Sequence, residues 1–303
     1  MMLARVRNML TDLMGVHGTQ AAAIPGRSQV EAAMPDSAPD EAGLVTLWPA
    51  ARRALADRLW GDGFIFPDGE QETLRLAMPL TLNKETSLML VGAGSGGPPC
   101  CIAGQLGAWV TGFEADAGLQ AAAMDRSLRG GFGRRAEIMP WSPLEPNFAR
   151  RSFHHAMALE ALPAQAPGPV LNAIFRALRP GGQLMMVELV ADRPLDPKDE
   201  EIAAWSRLAG REPIVPSQRA IAGALARLGF DVRITEDISL RHMQHALRGW
   251  HTVIRNMHDR KPTPTTAMLM VHEAELWLRR INLIRTKRIR LVRWHAIRST
   301  PPG

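Results

Sequence analysis

The stretch LMLVGAGSGGPPC, Leu88 to Cys100, decides the fold. An apolar run ends at Val91, glycines follow at positions 92, 94, 96 and 97, and two prolines come next. A short continuous apolar run is the pattern of a strand buried on both faces, as in a parallel sheet. Pro98 suits the first turn of a helix, where a missing N–H costs no hydrogen bond. The stretch therefore reads as strand, tight turn and helix. Its glycines leave no side chain between main chain and ligand, so a ribose, carboxylate or phosphate can approach backbone N–H groups directly.

The alternation repeats downstream. AWVTGFE reads as a strand, ADAGLQAAAMDRSL as a helix, AEIM as a short strand, SFHHAMALEAL as a strand, PVLNAIFRAL as a helix and GQLMMVELV as a strand. Strands separated by single helices imply parallel pairing through right-handed crossovers, hence a doubly wound α/β sheet. Upstream, WPAARRALADRLW has helical spacing and stops at Gly61; the loop GDGFIFPDGEQET leads to a second helix from about Glu70 to Met78. Further on, SQRAIAGALARLG is a helix with Ser217 as N-cap and Gly229 past its end, feeding the strand FDVRITEDI. Two helical stretches, about His242 to His258 and Met268 to Ile284, precede IRLVRWHAI, read as an edge strand.

Residues 15–42 are rich in Ala, Pro, Gly, Ser and Gln without a sustained period. Residues 1–45 are accordingly expected to be a poorly ordered tail, and 46–303 one domain. The opening MMLARVRNMLTDLMG reads as a tail helix; with Arg5 and Arg7 on its polar side, peripheral membrane contact is the second reading.

A chain of 303 residues with 46% hydrophobic content can bury a large core. The net charge of +6 is concentrated late, at Arg279, Arg280, Arg285, Lys287, Arg288, Arg290 and Arg293, which serve solubility or meet an anionic surface. The two cysteines, Cys100 and Cys101, are adjacent, which excludes a disulfide framework and ordinary thiolate metal spacing. They suit packing in a reducing cytoplasm. No apolar run approaches the roughly 20 residues that span a bilayer, so a soluble chain is expected. Aromatics at 5% and no tyrosine disfavour stacking on nucleic acid.

Glu114 closes the second strand about twenty residues after the glycine turn, where a carboxylate can accept both hydroxyls of an adenosine ribose. Gly92, Gly94 and Gly97 also satisfy the dinucleotide spacing. Nicotinamide cofactors and S-adenosylmethionine both carry that ribose, so Glu114 does not choose between them. A nicotinamide-dependent oxidoreductase is disfavoured because about ninety residues precede the turn and no hydride-transfer constellation follows it.

VGAGSGG, VTGFEAD, ALRPGGQL and the closing segment around RLGFDV, in this order, resemble class I S-adenosylmethionine-dependent methyltransferases. The loop LWGDGFIFPDGEQET resembles the lid of the branch that includes phosphoethanolamine and sarcosine-type N-methyltransferases. The resemblance implies a Rossmann-like, mostly parallel seven-stranded sheet with an antiparallel last strand and an N-terminal helical lid. It implies transfer of a methyl group from S-adenosylmethionine to a small molecule or lipid headgroup, without a metal. Gly92, Ala93, Gly94 and Gly96 then belong to the turn beneath the cofactor, Glu114 to its ribose, and Ala115 and Trp141 to its adenine.

Several polar positions of that family are replaced. The acid two residues before the first glycine of the turn is Leu90, the lid carries Phe66 and Asp68 in place of its serine and first glycine, and the aspartate after the phenylalanine of strand four is His154. An acid is also missing around Met139 to Trp141. These losses define an alternative, an inactive homologue acting as a binding or scaffold protein. For an active enzyme, His154, His155 and Glu160, expected at the carboxyl end of strand four, are the nearest candidates for a base; packing or solvation is their plainer reading.

Overall fold

The computed structural model describes residues 46–257 and 262–300. The tail expected over residues 1–45, with its membrane-contact reading, lies outside them. Helices α1 (Ala50–Trp60) and α2 (Gly69–Ala77) precede strand β1 (Ser87–Val91). There follow α3 (Gly97–Gln105), β2 (Trp109–Glu114), α4 (Ala117–Arg129), β3 (Ala136–Pro140), β4 (Phe153–Leu159), α5 (Pro167–Ala177) and β5 (Leu178–Val190). The last part runs α6 (Glu200–Leu208), α7 (Gln218–Leu228), β6 (Phe230–Asp237), α8 (Ser239–Asn256), α9 (Pro264–Arg285) and β7 (Arg290–Arg298).

One sheet holds all seven strands in the order β3-β2-β1-β4-β5-β7-β6. β1 to β5 pair in parallel, and β7 runs antiparallel to both β5 and β6. The doubly wound α/β architecture expected from the sequence is thus the one formed. One placement differs: β7 is an interior strand, flanked by β5 and β6, with Leu291 and the alternate residues Val292, Trp294 and Ala296 all buried. Its arginines are paired, Arg290 with Asp192 and Asp237 and Arg293 with Glu236. On α9 and just after it, Arg279 pairs with Glu275, Arg280 with Glu160 and Arg288 with Asp199. The late basic series is therefore largely neutralised within the chain.

Arg179 to Gly182 form a bulge: Phe153 pairs with Leu178 and His155 with Gln183, so four residues of β5 face His154 alone. Helix α6 has no counterpart in the sequence reading. Its signals are Asp199, whose side chain accepts from the Glu201 and Ile202 N–H groups, and two glutamates in the first turn.

Apolar side chains pack on both faces of the sheet, and a third cluster joins α1, α8 and α9 into a cap. Trp60 meets Trp277 edge-on at 4.9 Å and lies over Gly249, where a Cβ would stand 2.4 Å from the indole. Helix α1 can cross α8 so closely only because that position has no side chain. Among the described residues no helix is long and apolar enough to cross a membrane.

Glu188 on β5 ties the sheet to the segment after β4, accepting from the Leu162 N–H at 3.0 Å and the Leu189 N–H at 3.1 Å. Burial, and then the nearby Glu160 carboxylate, push its pKa up to about 8. The folded state therefore favours the neutral carboxyl. The stability this lends is complete below the unfolded value of 4.5 and is lost as pH rises towards 8. Glu188→Gln, neutral at every pH, is expected to flatten the fall in melting temperature between pH 5 and pH 9. Parallel profiles for wild type and variant would contradict this assignment.

Candidate functional site

The chain leaves β1 through Gly92, at φ 82°, and enters α3 at Gly97. The Gly92 and Ala93 N–H groups donate to the Phe113 carbonyl at 2.9 and 3.2 Å, which stitches the turn to β2. A Cβ on Gly92 would stand 2.6 Å from the Leu159 carbonyl oxygen at the end of β4. A Cβ on Gly96 would meet the Ala123 Cα of α4 at 2.9 Å, and Ala93 is fully buried. Ala93 and Gly96 thus serve packing, as does Gly92 on its β4 side; Gly94 is buried as well, and Gly92 alone of the four is partly exposed.

Glu114 faces this turn. Its Oε2 accepts from the Gly94 N–H at 2.8 Å, and its Oε1 from the Ala115 and Asp116 N–H groups at 2.9 and 3.1 Å. Burial pushes its pKa up to about 7, against the opposing effect of these three donors. A carboxylate offers about four acceptor positions, so one remains, and a ribose diol needs one more by exchange. Trp141 follows β3 and packs on Phe148 with ring centroids 5.6 Å apart, its Nε1 buried without a partner.

The loop between α1 and α2 closes over the turn. Gly97 donates to the Gly63 carbonyl at 2.9 Å, and Gly63 donates to Asp57 at 2.7 Å. Arg126 of α4 spans both sides, giving its Nε to the Ser95 carbonyl at 2.9 Å and pairing with Asp62 and Asp57. Ile65 lies 3.2 Å from where a Gly94 Cβ would be. This loop is the lid that the sequence suggested, drawn down onto the glycines.

Beyond the lid lies a cavity of about 310 Å³, whose wall includes Gly92, Phe66, Glu160, Trp205, His242 and Trp277. Of the three expected base candidates only Glu160 reaches it. Glu160 sits just after β4 at φ 46° and is held by Arg280 through two hydrogen bonds of 3.0 and 2.6 Å. His154 and His155 stand at the amino end of β4, not at its carboxyl end as expected, because the apolar run of the strand lies entirely after them. His154 accepts from the Ser87 N–H at 3.0 Å and contacts Arg179. His155 is held neutral by burial, its pKa pushed down to about 4.

The replaced family positions have structural partners. Leu90 is fully buried in the sheet core, Phe66 meets Phe64 edge-on, and Asp68 pairs with His245 at 3.0 Å. Asp68, Glu72 and His245 each bring a ligand atom within 4.8 Å of the others. Glu72, however, is already bound to Arg241 at 2.9 and 3.1 Å and lies near Arg75, so local charge disfavours a cation there. Both thiols are free; burial raises their pKa values, that of Cys101 to about 12, which suits packing over reactivity.

The sequence reading missed the cavity wall built by α6, α8 and α9. His242 and His245, three residues apart on one helix face, were its legible trace.

No protein-family model matches the chain. Among curated proteins it is 28% identical over 194 residues to sterol 24-C-methyltransferase of Yarrowia lipolytica, covering 59% of this chain and 51% of that protein. The chain spans about half the length of the curated relatives it matches. Among solved structures, phosphoethanolamine N-methyltransferase 2 of Haemonchus contortus, in complex with S-adenosyl-L-methionine, superposes with TM-score 0.72 at 16% identity over 84% of this chain and 58% of that one. A protein of Galdieria sulphuraria assigned as a sarcosine dimethylglycine methyltransferase gives 0.66 at 14% identity, over 82% and 98%. These likenesses establish the fold.

The contact at Gly92 gives a direct expectation. Gly92→Ala combines a positive φ with a Cβ driven into the Leu159 carbonyl, and should cost about 2 kcal/mol in urea unfolding. A cost within 0.5 kcal/mol of zero, the usual range for a surface substitution, would contradict the close approach.

Proposed function

We propose that this chain, folded as a class I S-adenosylmethionine-dependent methyltransferase, binds that cofactor and transfers its methyl group to a small molecule. The observation that carries the reading is that Gly92 belongs both to the glycine turn and to the wall of the cavity. A cofactor laid along the turn would therefore meet an acceptor held in the cavity. In this reading Glu114 takes the ribose hydroxyls, Gly92 and Gly94 pass beneath the methionine part, and Ala115 and Trp141 border the adenine.

S-adenosylmethionine, when bound, supplies a methyl group on a sulfonium that an acceptor can attack directly. No nucleophilic side chain is then required, and the chain's contribution is to hold the acceptor in line and keep water out. Ile65 and Phe66 of the lid, with Trp205 and Trp277 opposite, supply apolar walls for that purpose. The reading includes a cytoplasmic setting, supported by the two free thiols. A lipid headgroup remains within the acceptor class. The replaced residues that motivated an inactive homologue are absorbed by packing and pairing, so no observation favours that alternative.

Calorimetric titration with S-adenosylmethionine tests the reading, and absence of both heat and thermal shift at millimolar ligand would refute it. Two ribose hydroxyls donate best to an ionised carboxylate, so affinity should weaken as pH falls below about 7. Glu114→Gln should weaken binding roughly tenfold at pH 8 and abolish that pH dependence. Binding unaffected by the substitution at both pH values would remove Glu114 from the cofactor site.

A further inference from the structure

Charge on the cavity wall does not balance. Three carboxylates line it, Glu72, Glu160 and Glu273, and so do three arginines, Arg52, Arg211 and Arg280. Each carboxylate is held by one arginine through two hydrogen bonds. Arg52 takes Glu273 at 2.9 and 3.3 Å, and Arg280 takes Glu160 at 3.0 and 2.6 Å. Glu72 is taken at 3.1 and 2.9 Å by Arg241, which is not part of the wall. Arg211 is the arginine left over, with no ion pair among the described residues.

Arg211 is half-buried, and its one hydrogen bond to a described residue runs from Nη2 to the Ile214 carbonyl at 3.3 Å. Its guanidinium lies over the Trp205 ring, 5.2 Å from the centroid. Such a contact steadies the group without supplying a counter-charge. Nε and Nη1 lack a partner among the described residues, yet neither is sealed from solvent as Nε of Arg280 is. A ligand in the cavity can therefore reach this guanidinium. Burial pushes its pKa down, and Glu188 and Glu160 oppose that only from beyond ion-pair distance. An arginine stays charged nonetheless, so a positive charge stands on the wall without a counter-ion.

One uncommitted guanidinium calls for one negative charge, and a carboxylate matches it with two parallel hydrogen bonds. A phosphate monoester carries about two negative charges near neutral pH, and the second would face Glu160 without a cation of its own. The wall is otherwise largely apolar, with Trp48, Phe66, Trp277 and Val187 among its residues. We infer that the cavity takes an apolar monocarboxylate, its carboxylate bound at Arg211 and its hydrocarbon body against these side chains. Bound this way, the acid is the acceptor of the methyl transfer proposed above, and that catalytic meaning rests on the earlier reading. Binding itself needs no cofactor, so the two can fail separately.

Equilibrium dialysis of octanoate, 1-octanol and octyl phosphate near pH 7, which share an unbranched hydrocarbon chain and differ in head group, tests it on the full chain. The expected result is that octanoate binds at least about tenfold more tightly than 1-octanol, and more tightly than octyl phosphate. Arg211→Gln should bring octanoate down to the level of 1-octanol while leaving the alcohol's affinity unchanged; a merely structural role would weaken both ligands alike. Arg211→Lys, which keeps the charge and loses the fork, should retain part of the preference and reads the same difference should the first variant fold poorly. Equal affinity of octanoate and 1-octanol for wild type, tighter binding of octyl phosphate, or a preference that survives Arg211→Gln would overturn the inference. Absence of S-adenosylmethionine heat with the octanoate preference intact would instead remove the methyl-transfer reading and leave the acid site standing.

Discussion

Three parts of the chain converge on the main chain of residues 92–97, each closer than an ordinary side chain would comfortably permit: the Leu159 carbonyl, the Ala123 backbone, and Ile65 with Gly63 of the lid. A fourth, the Glu114 carboxylate, accepts from the Gly94 N–H. The sheet order places the ends of β2 and β4 on either side of β1, and the missing side chains let both come in. The same bareness lets the Gly97 N–H reach the Gly63 carbonyl of the lid. Fold and site thus share one steric condition, and a substitution that disturbs either disturbs both.

Much of this was legible in the sequence because it rests on local pattern. Continuous apolar runs marked β1, β4 and β5, glycine spacing marked the turn, and Glu114 declared itself by its distance from it. The parallel order followed from single helices between strands. Other features depend on contacts between distant segments and had weaker traces. Helix α6 carried an N-cap aspartate and an acidic first turn, yet its few apolar residues gave only a short period. The interior position of β7 was masked by its arginines, whose acidic partners Asp192, Asp237 and Glu236 lie far away in sequence. His154 and His155 were misplaced along β4 although the apolar run Ala156 to Leu159 after them marks the strand's carboxyl half. The cavity wall, assembled from the lid, α6, α8 and α9, has no contiguous signature at all.

The site also shows how a chain can lose a motif's polar residues without losing its architecture. Leu90 is fully buried in an apolar core, where a leucine needs no hydrogen-bond partner. Asp68 found a new partner in His245, across from the lid. Several charged groups of the cavity are paired within the chain, Arg52 with Glu273, Arg280 with Glu160 and Glu72 with Arg241, whereas Arg211 stands on its wall with no ion pair among the described residues.

Strand β7 lies between β5 and β6, yet it is the last of the seven to be synthesised. Until residues 290–298 leave the ribosome, β6 has no neighbour and β5 has one open side. A growing chain therefore carries an exposed strand edge through the synthesis of two long helices, and only then does its final strand slot between the waiting pair. The sheet is thus completed only after β7 has followed β6, α8 and α9. The interval before it is when a chaperone that shields unpaired edges would have most to do.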